Sequence, residues 1–263
     1  MSWILAVETS TEWCSVALGR AAADGAAECF SRHEHTGVRS SSRVLPAVGE
    51  VLAEAGIRLA DCAAIAFGAG PGSFTGLRTA CGVVQGLAFG ADLPVIPVNV
   101  LMACAESVRN ATPNAPGVLA TSALPAGAAV LVAIDARMDE AYAATFRWDD
   151  AGNEWAMEGA MQAGAPESIA APEGDFWLAG NALTVFGDRL TAATRAARTV
   201  PEAMPDARAM VSIAQRALAR GETIAAADAM PIYVRDKVAQ TIVEREAVAA
   251  AKAAALAGQG AAR

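Results

Sequence analysis

The sequence predicts an α/β protein of two lobes with duplicated, mixed β-sheets. One pattern carries most of that expectation: a strand, an acid, a turn and a return strand occur twice, about half a chain apart. Ile4–Val7, Glu8 and Cys14–Leu18 make the first copy; Leu131–Ile134, Asp135 and Ala141–Phe146 make the second. Between the copies, Asn110–Gly127 holds Pro113, Pro116, Pro125 and two glycines, the composition of a linker. Finally, 263 residues with 54% hydrophobic content supply ample core for two lobes. The expected divisions are a first lobe over 1–109, a linker over 110–127 and a second lobe over 128–240. A helix over 206–220 packs back on the first lobe, and an alanine-rich tail over 241–263 with little to bury is frayed or disordered.

Each element follows from local pattern. Ile4–Val7 is an apolar, β-branched run, Trp13–Leu18 alternates as an antiparallel return strand, and Ala26–His33 continues the meander. Val44, Leu45, Val48, Val51 and Leu52 recur at helical spacing, and Gly56 ends that helix. Ala63–Phe67 is a strand leading into Gly68–Arg78, a glycine-rich stretch, after which Leu77–Phe89 reads as a helix. Gly82, Gly86 and Gly90 punctuate it at roughly 1 kcal/mol each. Close packing inside the chain, or a flat face for another subunit, would account for them. Pro94–Val98 is a strand and Asn99 caps a helix running to Arg109. In the second half Val130–Ile134 and Ala141–Trp148 are strands, Glu167–Ala171 a short helix and Phe176–Ala179 a strand. Ala182–Leu190 and Ala207–Ala219 read as helices, the latter with Asp206 as N-cap, and Pro231–Arg235 as extended chain.

Charge and cysteine content narrow the function classes. A formal charge of −8 and a pI near 4.9 argue against the chain holding nucleic acid by itself, because counterion release needs a basic surface. The five cysteines are widely spaced without a CxxC pair, so neither a disulfide framework nor a zinc site is expected. No basic leader precedes the first apolar run, which Glu8 interrupts. No stretch of about 18 apolar residues occurs without a break, so a cytoplasmic location without membrane contact is expected.

The glycine-rich stretch, with Gly70, Gly72, Ser73, Thr75 and Gly76, joins a strand to a helix N-terminus. Such a loop converges backbone N–H groups on an anion or phosphate, or it serves as a tight turn with close helix–sheet packing. It lacks the Gly-Lys-Ser/Thr of a P-loop, the third glycine of a dinucleotide fingerprint, where Thr75 stands, and the glycine two positions before Ser73 that a nucleophile elbow needs, where Pro71 stands. His33 and His35 are the only histidines and read as strand-end side chains. Glu8 and Asp135 stand at corresponding strand ends. They are either acids facing across a cleft, as in two-lobed folds of the actin and sugar-kinase type, or caps for neighbouring turns.

Ile4–Thr11, Gly70–Arg78 (GPGSFTGLR), Gln85–Ala88 and Ala133–Tyr142 (AIDARMDEAY), with Pro231–Arg235 as a late motif, together resemble the TsaB (YeaZ) family, bacterial proteins of the tRNA threonylcarbamoyladenosine machinery. The resemblance spans about residues 2–236 and implies the two-lobed actin-like ATPase (ASKHA, ribonuclease H-like) fold. The catalytic relative TsaD carries an HxxxH metal motif after its glycine loop, whereas this chain has no histidine after His35. The resemblance therefore implies a subunit with no catalytic residues, no metal and no cofactor of its own, with nucleotide only in a complex. It implies a homodimer when alone, partnership with TsaD and the ATPase TsaE, and contact with tRNA only through the complex. The implied interface lies on helices 41–55 and 77–89, with Val44, Leu45, Val48, Ala80, Val83 and Gly86 as candidates. Where the family usually has aspartate this chain has Glu8, which moves the carboxylate by about one bond length. An ATP-dependent phosphotransferase of the same fold and a glycoprotease-like peptidase remain as alternatives.

Overall fold

A computed structural model describes residues 2–21, 27–110, 124–125 and 127–235. Two five-stranded sheets have the same internal order. The first runs β3 (Ala27–His35), β2 (Trp13–Ala21), β1 (Trp3–Glu8), β4 (Cys62–Gly70), β5 (Val95–Asn99). The second, from its corresponding edge, runs β8 (Glu154–Gly164), β7 (Ala141–Asp149), β6 (Ala129–Asp135), β9 (Phe176–Ala179), β10 (Arg198–Val200). In both, the leading three strands pair antiparallel and the last two join in parallel. Duplication of the lobe is thus visible in the topology, although the two halves share few letters.

The period-2 alternation of the central strands sorts their side chains into separate cores. Leu5 and Val7 of β1 face α1 (Ser40–Ala55) and α2 (Phe74–Ala91), while Ile4 and Ala6 face α5 (Ala207–Ala219). Likewise Val130, Val132 and Ile134 of β6 face α3 (Val100–Asn110), and Ala129, Leu131 and Ala133 face the side carrying α4 (Ala182–Phe186). Covered on both faces, these strands must be apolar throughout, which is why they read as unbroken runs. The chain also exchanges helices between its halves: α3, from the first half, covers the second sheet, and α5 returns to cover the first. Alanines at 6, 17, 64 and 66 leave room for α5 to lie close to the strands.

Capping residues hold the helix ends where their chemistry places them. Asn99 accepts from the N–H groups of Leu101 and Met102, Asp206 accepts from Arg208, and Gly56 closes α1 with φ of 68°. Other expectations are corrected. Gly68, Ala69 and Gly70 belong to β4 rather than to a loop. Glu167–Ala171 reduces to one 3₁₀ turn at Pro166–Ser168, and α4 stops at Phe186 because Gly187 turns left-handed at φ 56°. Edge strand β8 is unanticipated. Most of the linker and all of the tail over 241–263 lie outside the described residues.

Candidate functional site

A cleft of about 790 Å³ lies between the lobes, bounded by the Thr9–Trp13 turn, the glycine loop, Asp135–Met138, Asn181 and Ile232–Arg235. Its floor on the first lobe is the glycine stretch. Ser73 caps α2 by accepting from Gly76 N–H, and its own N–H donates to the Ser10 carbonyl at 2.7 Å. Thr9 Oγ1 donates to the Gly76 carbonyl at 2.7 Å. A Cβ at Gly72 would fall 2.5 Å from Cβ of Ser10, one at Gly76 would meet the Thr9 carbonyl, and one at Gly70 the Ile232 carbonyl. Close approach of backbones therefore demands these three glycines, whatever the loop binds. Thr75 is exposed in the first turn of α2.

The two strand-end acids have diverged in direction. Glu8 is fully buried; its Oε1 accepts from Ser10 N–H, and its Oε2 has no partner. That oxygen occupies the space a side chain at Gly68 would need, beside Val100. Burial pushes the Glu8 carboxyl up to about 7, against the lowering effect of its Ser10 hydrogen bonds. The longer side chain thus turns inward over a glycine rather than out toward a ligand. Asp135 stays at the cleft: its Oδ1 accepts from Arg137 N–H at 2.9 Å, and its Oδ2 lies 3.1 Å from the Arg137 guanidinium. Its own N–H donates to Asn181 at 2.9 Å. A facing pair of free carboxylates is not what the fold presents.

The turn after Asp135 is strained. Arg137, Met138 and Asp139 hold φ of 61°, 56° and 62°, three successive non-glycine residues in the left-handed region. Arg189 fixes Asp139 at 2.6 Å, and Arg235 reaches Glu140 and the Ala136 carbonyl. Across the cleft Arg137 pairs with Glu12, which His35 approaches at 3.3 Å. Sequence reading singled out Asp135 but not Glu12, Arg137, Asn181 or Arg235, whose roles depend on a meeting of distant segments. The apparent triad Ser15–His33–Asp206 does not serve hydrolysis. Both Ser15 Oγ (3.0 Å) and Asp206 (4.0 Å) address the same nitrogen, Nδ1, and Ser15 is buried and accepts from Ala207 N–H.

The helix candidates separate by burial. Val44, Val48 and Ala80 lie inside the first core and cannot present an interface, because the apolar stripe of a surface helix turns to its own sheet. Val83 is half-buried, whereas Leu45 is 52% exposed and Gly86 opens to solvent. Among the described residues nothing lies within 4 Å of where a Cβ at Gly82, Gly86 or Gly90 would stand, so close packing against the described part of the chain does not explain them. Phe89, beside them, is 84% exposed.

Residues 34–243 match the model of a family described as TsaD: tRNA N6-adenosine threonylcarbamoyltransferase. The chain is 35% identical over 242 residues to the tRNA threonylcarbamoyladenosine biosynthesis protein TsaB of Escherichia coli K12, covering 90% of this chain and 96% of that one. With the protein of the same name from Haemophilus influenzae it is 34% identical, covering 89% and 94%. It is similar to the solved structure of YeaZ from Pseudomonas aeruginosa, with a TM-score of 0.74 at 37% identity over 89% of this chain and 100% of that one.

Proposed function

The chain belongs to the TsaB family, within the wider reach of the TsaD family model, and from that premise we propose that it is a non-catalytic scaffold or activator subunit of tRNA threonylcarbamoyladenosine formation. It acts in the cytoplasm on tRNAs that read codons beginning with A, through a TsaD-type catalytic subunit and a TsaE-type ATPase. Alone it forms a homodimer through the face it offers TsaD, and any nucleotide belongs to the complex, where Gly70, Gly72, Ser73, Thr75 and Gly76 could contribute an anion contact. Among the described residues no helix is long and apolar enough to cross a membrane. The acidic charge, −8, leaves tRNA contact to the partners.

The observation that carries this reading is the stripe Gly82–Gly86–Gly90, exposed on α2 beside Phe89 and unmatched by any of the described residues. Three solvent-facing helical glycines cost stability without a return from the described residues, so their value lies in letting another helix approach. Neither alternative has comparable support: the Ser15–His33–Asp206 arrangement is wrong for a peptidase, and Glu8 is turned away from any phosphate. Replacing Gly86 by tryptophan is expected to leave folding intact or slightly improved, since the site is open and the helix gains propensity. Association with a second copy or with a TsaD-type subunit is expected to weaken by roughly tenfold or more. Sedimentation velocity and titration calorimetry read both; unchanged association would move the interface elsewhere. Reconstitution tests the function itself: tRNA modification by the catalytic subunit and ATPase should require this chain, and equal activity without it would remove the activator role.

A further inference from the structure

Clefts of the actin and sugar-kinase type hold a divalent metal with a nucleotide, and the residues here do not fit such an ion. Glu8 is buried with its free oxygen aimed at Gly68, both oxygens of Asp135 are engaged by Arg137, and among the described residues no three His, Cys, Asp or Glu side chains converge. We infer that the Arg137 guanidinium is the resident cation of this cleft, neutralising the strand-end carboxylate of the second lobe and Glu12 of the first in place of a divalent metal. The backbone arranges this. Left-handed φ at 137–139 folds the chain back, so that Asp135 accepts from the N–H of the residue two positions on and forms an ion pair with its guanidinium at 3.1 Å. The other guanidinium nitrogen, Nη2, is left to reach Glu12.

The side chain of Arg137 is 67% exposed, so these ion pairs add little to stability and do not lock the lobes. Their consequence is electrostatic exclusion: a second, divalent cation at Asp135 would meet a fixed positive charge instead of an open carboxylate. The inference concerns the isolated chain, so its failure would leave the scaffold reading standing.

Mn²⁺ is the probe, followed by the electron paramagnetic resonance of the free ion and by the unfolding midpoint with and without it. Wild type and Arg137→Lys are expected to ignore Mn²⁺ up to millimolar concentration. Arg137→Met is expected to bind it at least roughly tenfold more tightly than wild type, and Arg137→Met combined with Asp135→Asn to lose that gain. Wild-type binding that Asp135→Asn abolishes would overturn the inference, and this arm needs no Arg137 variant to fold. A folded Arg137→Met, with circular dichroism like wild type, that binds Mn²⁺ no better would overturn it equally.

Discussion

Replacing Glu106 by alanine is expected to lower the unfolding free energy by about 3–5 kcal/mol, the usual cost of removing one partner from a buried ion pair. Glu106 sits on α3 with its side chain wholly inaccessible. It accepts from Arg109 (2.9 Å) on the same helix, from Arg216 (3.0 Å) on α5 and from the Trp155 indole (2.6 Å) on β8. Those elements are the two exchanged helices and the edge strand of the second sheet, so one carboxylate ties α3 and α5 to the second sheet. Burial pushes its carboxyl up, but hydrogen bonds from Arg109 and Arg216 outweigh that and hold it below the ordinary range. Without it the Arg216 guanidinium, only 14% exposed, and the Trp155 N–H lose their acceptor. A depressed folded pKa contributes stability that is complete above the unfolded value near 4.3 and is lost as pH falls through the folded value. The gap between wild type and Glu106→Gln should therefore narrow in acid below about pH 4. Urea unfolding at several pH values measures both effects. A loss under about 1 kcal/mol for the alanine variant would mean that the network is hydrated and marginal.

How much of this was legible depended on whether the determining residue was local. Asn99, Asp206 and Gly56 announced helix ends because capping acts over two or three residues. The central strands were legible because burial on both faces forces an apolar run. Strand β8 was not, since Trp155 is its one buried residue and the rest of an edge strand is free to be polar. The helix stripe was half legible: Leu77, Cys81, Val84 and Ala88 mark the core side of α2 and leave Gly82, Gly86 and Gly90 opposite. Applying the same rule to α1 would have sent Val44 and Val48 inward rather than to an interface. The direction of Glu8 was beyond sequence reading, because it is set by the missing side chain at Gly68, sixty positions away.

That inward carboxylate gives the second large effect, a loss of stability between mildly acidic and alkaline pH that Glu8→Gln should abolish. The folded carboxyl titrates at about 7, above its ordinary unfolded value. A group whose pKa is raised by folding contributes its full stability below the unfolded value and loses it as pH rises through the folded one. The window therefore runs from about pH 4.3 to 7, and the difference corresponds to about 3 kcal/mol at its upper end. Urea unfolding at pH 5 and pH 8 should show wild type losing roughly that amount more than Glu8→Gln, because glutamine cannot ionise. The geometry supplies a second arm. Gly68→Ala fills the space that Glu8 Oε2 occupies and should cost about 1–3 kcal/mol in wild type, but markedly less when Glu8 is also alanine. Additive losses in that cycle would mean that the two positions do not touch. A wild-type pH profile parallel to that of Glu8→Gln would mean that the carboxylate is hydrated in solution, and its inward placement over Gly68 would fall with it.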